Sequence, residues 1–480
     1  MKRLRWYDFI TLNLFWLGLN IRNTAVGSVF TPYLLALFVP ENNRGTALGV
    51  ISTAGLVIAM LVQPAAGILS DRSTSRFGRR RPFIFVGVLF DMIFLFAIGL
   101  SGGFWMLLVA TLLIQFSANL SHGALQGLIP DLAPEDQRGR ASAVKAVLEL
   151  IPIVLVGFTI AQMVGKGQLM LAVIVTAVSV LVTMLFTVLF VKEQPLAEKP
   201  AISLKIPMLR VLGMLAGIGL GALAGLIGGG ALGGLAGLIT WPFAGKATAL
   251  AVAVGLGGVV AMVVAVVTGV WSGAYATLGQ DARRQSSFTW WIVNRLLFLA
   301  AATSFQGFLP FFLMFAFKMT AEQAASTNGT LMTVIGLFIM LSAFTGGWIS
   351  DRFGKRRVVA ISGLVSAVGA CLVLLTIWMP NMALIYVAGG IIGLGVGVFM
   401  TGNWALGTGL APAEEAGRYL GISNLAGAGA GMIGKGIGGP IADYLNGYLP
   451  GMGYFAIFAS FAVLFALSAV SLRWVRKVEK

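Results

Sequence analysis

The sequence predicts an all-α membrane protein: two six-helix halves in parallel repeat, with a two-helix hairpin inserted between them. Three observations predict it. Of 480 residues, 58% are hydrophobic and only 10% charged, apolar runs of spanning length recur along the whole chain, and a short basic turn appears twice, at Asp71 and at Asp351. No soluble core uses so much apolar surface. The formal charge of +16 would suggest nucleic acid in a soluble chain. Here the basic residues sit in short clusters between apolar runs, the pattern of positively charged cytoplasmic loops. The expected partner is therefore the lipid bilayer and not nucleic acid. The single Cys371 lies in an apolar run, so no disulfide or thiolate metal site is expected, and neither a cofactor nor a metal.

About 20 apolar residues cross the hydrocarbon, and the chain offers fourteen such runs. Six extend from Phe9 to Val39, Gly45 to Ser70, Phe83 to Ser101, Phe104 to Ile129, Ala141 to Val164 and Gln168 to Val191. Six more extend from Phe288 to Phe317, Ala324 to Ser350, Val358 to Trp378, Ala383 to Leu410, Tyr419 to Ala442 and Gly453 to Val475. An extra pair, Val211 to Ile239 and Leu250 to Val270, lies between them. The expected organisation is an N-terminal bundle over 1–192, linkers and a Gly/Ala-rich hairpin over 193–287, and a C-terminal bundle over 288–480. The Met1-Lys2-Arg3-Leu4-Arg5 start looks like a signal peptide's charged end. The following run is too long and lacks a small-residue cleavage site, so it reads as the flank of a retained first helix.

Orientation follows from the polar segments. The N-terminus, the Asp71 turn, the Arg138/Arg140 loop, the Lys192 to Arg210 linker, Arg283/Arg284, the Asp351 turn, Arg418 and the C-terminal tail fall on one side. Only Arg44, Lys166, Lys246 and Lys318 fall on the other. Both termini are expected in the cytoplasm of a cell bounded by this plasma or inner membrane.

The repeat is legible within the chain itself. Thr31-Pro32-Tyr33-Leu34 pairs with Leu309-Pro310-Phe311-Phe312, and Leu132-Ala133-Pro134 with Leu410-Ala411-Pro412, both at an offset of 278. The turn Gly67-Ile68-Leu69-Ser70-Asp71-Arg72, continuing to Gly78-Arg79-Arg80-Arg81-Pro82, returns as Gly347-Trp348-Ile349-Ser350-Asp351-Arg352-Phe353-Gly354-Lys355-Arg356-Arg357. An even number of inserted spans keeps both halves in one orientation, as a parallel repeat requires. Within the insertion, Gly217, Gly221, Gly225, Gly229, Gly233 and Gly237 recur every fourth residue, along one helix face. Such a face admits close approach of another helix: its own partner around Gly255, Gly257 and Gly258, a second copy in a dimer, or the body of the protein. A monomer is the simplest expectation.

The two basic turns resemble the loop signature of the major facilitator superfamily, and the resemblance covers both halves. Val62-Gln63-Pro64-Ala65-Ala66-Gly67, followed by Ser70-Asp71-Arg72 and Thr74-Ser75-Arg76-Phe77-Gly78-Arg79-Arg80-Arg81-Pro82-Phe83-Ile84, is similar to the sucrose transporters and the glycoside-pentoside-hexuronide cation symporters. Gln126 stands where the plant sucrose carriers have an arginine, and fourteen spans replace the usual twelve. The resemblance implies secondary active transport of a small polar solute, a sugar or glycoside, coupled to protons by alternating access, and no enzymatic activity. A proton-driven exporter of amphipathic compounds and a non-transporting sensor or scaffold are the alternatives. It also implies gates at Gly67, Asp71, Arg72, Gly78, Arg79 and Arg80, and at Gly347, Asp351, Arg352, Gly354 and Arg356. There each aspartate would meet a helix N-terminus, near Gly421 for Asp71 and near Ala141 for Asp351, as carboxylates favour that end of the dipole.

Polar groups at membrane depth carry the candidate chemistry, because charge there persists only with a partner or a wet cavity. Arg22 lies mid-span, flanked by Asn20 and Asn23, either as the structural partner of a carboxylate or as a cavity residue. Asp91 and Glu149 are the candidate proton-coupling carboxylates. Asn119, His122 and Gln126 stand at three- and four-residue spacings on one face, a hydrogen-bonding ladder for hydroxyls if it lines a cavity. His122 titrates near neutral pH when free, or makes one helix-helix hydrogen bond. The second half offers Asn294, Arg295, Gln306, Asn403 and Trp404, with Trp404 the repeat mate of Gln126; amides suit hydroxyls and aromatic faces suit sugar C–H faces. Lys435, among glycines, either binds an anion or snorkels outward. The string from Gly429 to Lys435 is no phosphate loop, since Gly436 replaces the Ser/Thr and no strand precedes it.

Overall fold

The computed structural model describes residues 3–193, 205–410 and 429–476, and its regular elements there are all helical. Lipid dictates this, because apolar runs must satisfy every backbone group internally. Among the described residues, eleven helices are long and apolar enough to cross a membrane. The first expected span is not one of them: α1 (Trp6–Ala25) carries Asp8, Asn13, Asn20, Arg22 and Asn23, and a π turn, Val26–Phe30, separates it from α2 (Thr31–Phe38). The expected hairpin counts once as a single 74-residue element, and the first ten residues of the Tyr419 to Ala442 span lie outside the described residues.

Contacts divide the chain into two compact units. Unit 1 comprises Met1–Phe38, Ala54–Val211 and Thr320–Thr333; unit 2 comprises Val39–Thr53, Leu212–Met319 and Val334–Lys480.

Unit 1 is built on α1 and α2, most of α3 (Arg44–Asp71), α4 (Arg81–Gly99), α5 (Phe104–Leu125), α6 (Leu128–Leu132), α7 (Arg138–Phe158), α8 (Ile160–Gly165) and α9 (Leu169–Phe190). Phe15, Trp16, Leu19, Ile84, Val88, Leu125, Val180 and Met184 form one buried core. Polar pins cross it: Asn13 Nδ2 donates to the Ala141 carbonyl at 3.1 Å, and Thr187 Oγ1 donates to Thr11 O at 3.0 Å. Pro32 has no N–H to give the carbonyl four residues back. That carbonyl, of Ser28, instead accepts from Asn328 Nδ2 at 3.1 Å.

Unit 2 takes in α10 (Lys205–Leu278) from Leu212 onward, and this helix breaks at Gly245 (φ 76°, ψ 170°), three residues after Pro242. Only glycine adopts this backbone without strain. The two arms then run antiparallel: a Cβ on Gly217 would sit 2.6 Å from Gly273 N, and one on Gly221 2.6 Å from Gly269 Cα. The fourfold glycine spacing is thus spent on the chain's own returning arm. Next come α11 (Asp281–Arg284), α12 (Ser286–Phe317), α13 (Ala321–Phe353), whose first turns belong to unit 1, α14 (Lys355–Leu375) and α15 (Met382–Leu410). A π turn, Met432–Ile437, leads into α16 (Gly438–Tyr448) and then α17 (Met452–Ser471). The core of this unit is aromatic: Phe298 stacks on Phe399 with centroids 3.6 Å apart, and Phe305, Phe312 and Phe458 continue the column.

The start of α3 belongs with unit 2 for a visible reason. Asp443 Oδ1 accepts from Gly45 N at 2.9 Å and Oδ2 from Thr46 N at 2.6 Å, so a carboxylate from the second half of the sequence caps a helix of the first. Gly45 and Gly439 let the two backbones meet there. Asp443→Ala removes both acceptors and should cost about 1–2 kcal/mol, within the range of lost helix caps, read as a lower unfolding temperature. Asp443→Asn, which keeps one acceptor, should cost less; equal stability of all three proteins would remove the cap from the account.

Candidate functional site

In unit 1 the polar residues form a chain of contacts through α1, α4, α5 and α7. Arg22 on α1 and Asp91 on α4 are 2% and 1% exposed, and Arg22 Nε lies 3.8 Å from Asp91 Oδ2. Ser117 on α5 donates to Asp91 Oδ1. Arg22 Nε and Asp91 Oδ2 have no hydrogen bond among the described residues, so the attraction is Coulombic more than directional.

Six residues closer to the α1 start, Trp16 carries the edge of His122 at 5.1 Å and the Lys145 ammonium at 3.9 Å from its ring centroid. His122 Nε2 is 3.2 Å from Gln126 Nε2, and Lys145 Nζ is 3.5 Å from Glu149 Oε1. The structure therefore brings His122, Gln126 and Glu149 into one neighbourhood. Asn119 turns away, its amide donating to Gln115 O at 2.7 Å and Gln115 Oε1 at 3.3 Å. Sequence reasoning missed Trp16 and Lys145, although Lys145 stands one helical turn before Glu149.

The second-half residues gather in unit 2. Asn403 Nδ2 donates to Asn294 Oδ1 at 2.7 Å, Asn294 Nδ2 to Ser468 O at 2.7 Å, and Arg295 Nη1 to Asn403 Oδ1 at 3.2 Å. The Arg295 guanidinium lies 5.4 Å from the Trp404 ring centroid. Asn294 and Asn403 are fully buried, whereas Trp404 is exposed and Gln306 is half-buried. The two asparagines hold helices together, which leaves Arg295 and Trp404 as the free face. A cavity of about 620 Å³ in this unit is lined by Gly229, Gly257, Ala261, Ile433, Ile437 and Ile441 among others. It is apolar and holds none of these polar candidates.

The Asp71 turn is knitted around Arg80. Its guanidinium reaches Asp71 Oδ1 at 2.5 Å, Asp131 Oδ2 at 2.5 Å and Ser70 Oγ at 3.0 Å, and Arg79 pairs with the other Asp131 oxygen. Glu193 accepts from the backbone N–H groups of Arg80 and Arg81, each at 3.0 Å, capping α4. Gly78 (φ 100°) turns the chain in the left-handed region. Gly67 lies opposite Gly123 O, and Arg72 is half-buried. The expected partner of Asp71 near Gly421 lies outside the described residues.

Its repeat copy is built differently. Asp351 is exposed, and Arg352 spreads over Trp348 and Phe353 at 5.4 and 5.7 Å. Arg356 donates to Arg473 O at 3.5 Å, and Gly354 (φ 88°) supplies the turn. Gly347 faces open space.

The fold is that of an all-α integral membrane protein with polar clusters inside its helix bundles. The family description Major Facilitator Superfamily matches residues 209–435 and 292–480, and MFS/sugar transport protein matches residues 16–217. The chain belongs to the major facilitator superfamily, a family of membrane transporters and not of enzymes. It is 28% identical over 208 residues to the general alpha-glucoside permease of Schizosaccharomyces pombe, covering 38% of this chain and 37% of the permease. It is 29% identical over 213 residues to a sucrose transport protein of Arabidopsis thaliana, covering 36% and 35%. The chain thus spans about a third of the length of these curated relatives. Among solved structures, a peptide transporter (TM-score 0.66, 15% identity, 98% of this chain and 95% of that one) and a D-xylose-proton symporter (0.65, 14%, 98% and 97%) share the fold.

Proposed function

We propose that the chain is a secondary active transporter that moves a small polar solute, a sugar or glycoside, coupled to protons by alternating access. The observation that carries this reading is the buried Arg22–Asp91 pair with the adjoining His122–Gln126 and Lys145–Glu149 contacts. All of these residues fall within the stretch that matches the sugar transport description. Charged groups persist at membrane depth where they serve a solute or ion path. Asp91 and Glu149 take the proton. Arg22, His122 and Gln126 in unit 1, and Gln306 and Trp404 in unit 2, are the candidate solute contacts, each taken within its own unit, while Asn119, Asn294 and Asn403 order the helices that carry them.

In this reading the halves are 1–192 and 288–480, and the two arms of α10 cross the membrane as an inserted pair within 193–287. The Asp71 and Asp351 turns act as cytoplasmic gate elements, both termini are cytoplasmic, and the membrane is a plasma or inner membrane. The chain works as a monomer, since the glycine stripe is occupied by its own second arm.

The test is uptake of labelled sugars and glycosides by proteoliposomes under an imposed pH gradient. At least one solute should accumulate when the outside is acidic and leak back when a protonophore collapses the gradient. Solute movement indifferent to the gradient would sink proton coupling, and no movement of any solute would favour the sensor or scaffold reading.

A further inference from the structure

The cavity of unit 2 lies apart from every polar cluster, and its dimensions are informative. Along the first arm of α10 it is lined by Met214, Ile218, Ala222, Leu226, Gly230 and Gly234, a row next to the glycines that meet the returning arm. Gly234 stands twenty residues after Met214, which at 1.5 Å per residue is about 30 Å, the thickness of the hydrocarbon core of a bilayer. The second arm lines the same length, from Ala253 to Ala274. Opposite them stand Ile292 and Leu296 of α12, Ile433 in the π turn and Ile441 of α16.

Length and volume together fix the width. A volume of about 620 Å³ drawn out over about 30 Å leaves a cross-section of about 20 Å², roughly 5 Å across. Apolar carbons pack at about 3.5–4.0 Å, so the slot takes one file of methylenes. A helix, about 10–12 Å across with its side chains, does not fit.

The walls agree with that occupant. Among the described lining residues none is charged, and Thr53 is the one polar side chain. Water does not fill an apolar void, and close packing leaves few voids of this size without a purpose. The first arm withholds its own side chains: a Cβ on Gly230 or Gly234 would meet nothing within 4 Å. These two glycines and Leu226 are exposed, so the slot opens sideways there, and an apolar tail could enter it without leaving hydrocarbon. Met214, Ile292 and Ile433 at its back are buried.

Resting on the reading that both arms of α10 cross the membrane, we propose that this slot binds one acyl chain of a bilayer phospholipid, held between the inserted hairpin and the helices α12 and α16. The site needs neither the solute nor the proton.

Photolabelling tests it. The full chain is placed in phosphatidylcholine vesicles doped with a phosphatidylcholine whose acyl chain carries a diazirine, and the labelled residues are mapped by mass spectrometry. Leu220 and Leu223 of the first arm, 60% and 56% exposed, report bulk lipid, whereas Leu296 and Ile433, 5% and 6% exposed, are within reach of a tail in the slot. All four should be labelled in the wild type. Gly230→Leu puts a side chain into the slot and should cut labelling at Leu296 and Ile433 at least tenfold, with Leu220 and Leu223 unchanged. Gly219→Leu, at a position with equally open space but outside the slot, should change neither pair. Gly234→Leu repeats the block one turn further on, and unfolding temperatures show that the variants fold. Wild-type label at Leu220 and Leu223 alone, or label at Leu296 and Ile433 that survives both blocking variants, would overturn the slot and leave membrane crossing by the arms intact. If Leu220 and Leu223 also stay unlabelled, membrane crossing fails and the slot with it. Excess cholesteryl hemisuccinate should not displace the label; displacement would mean a ring system as occupant and overturn the acyl-chain assignment.

Discussion

Asp91→Ala should abolish pH-driven uptake and lower the stability of the protein by about 3–5 kcal/mol, the usual cost of removing one partner from a buried ion pair. The reason is local. Arg22 is 2% exposed and has no hydrogen bond at Nε among the described residues, so without Asp91 its charge is buried and uncompensated. Ser117 would also lose the acceptor of its hydroxyl.

Stability and coupling are then separable with a double variant. Arg22→Met with Asp91→Leu replaces the pair by apolar groups of similar bulk, which is often neutral or stabilising. Thermal unfolding should return to near the wild-type value while uptake stays at background. If uptake returns as well, the pair is structural and the coupling carboxylate lies elsewhere. Glu149 supplies the contrast, since its pair with Lys145 is about a third exposed on each side and such i,i+4 pairs contribute only about 0.3–0.5 kcal/mol. Loss of pH-driven uptake in Glu149→Gln would therefore not be a folding effect.

What could be read from the sequence was whatever repeats or has a period. The apolar runs, the paired basic turns and the glycines from Gly217 to Gly237 are patterns along one dimension, and lipid allows such runs only one secondary structure. Arg22 and Asp91 are each legible as a charge at membrane depth that needs a partner, and the structure makes them each other's.

The rest depends on which faces meet, and that is set by packing between distant segments. Nothing along the sequence ties Lys145 to α1, and only the structure sets its ammonium against Trp16. Nothing in their spacing marks Asp443 or Glu193, yet each caps a helix far away in sequence. Asn119 fits a helix-face ladder by spacing, but its amide is spent one turn back on Gln115. The π turns at Val26–Phe30 and Met432–Ile437 leave no mark in a 3.6-residue pattern.

Arg80 tests the most specific feature of the opening half, and its removal should weigh far more than that of its nearest counterpart in the repeat. The side chain is 7% exposed and serves Asp71, Asp131 and Ser70 together, with its guanidinium lying against Gly127. Arg80→Ala leaves Asp131 with Arg79 alone and Asp71 with no ion pair among the described residues. The expected cost is about 3 kcal/mol, the low end of the buried-pair range, because Asp71 keeps 35% exposure and water screens part of the loss. Lysine should rescue poorly, since one ammonium cannot reproduce a fork that spans three acceptors. Arg356→Ala, by contrast, removes only a 3.5 Å contact to a carbonyl from an exposed residue and should fall within about 0.5 kcal/mol of the wild type. Thermal unfolding of the two variants side by side decides the matter, and a cycle of Arg80→Ala with Asp71→Asn gives the coupling between the partners directly. Equal costs at Arg80 and Arg356 would mean that the carboxylate network around Asp71 adds nothing to what any basic loop supplies, and that the first turn, like the second, only fixes which side of the membrane it faces.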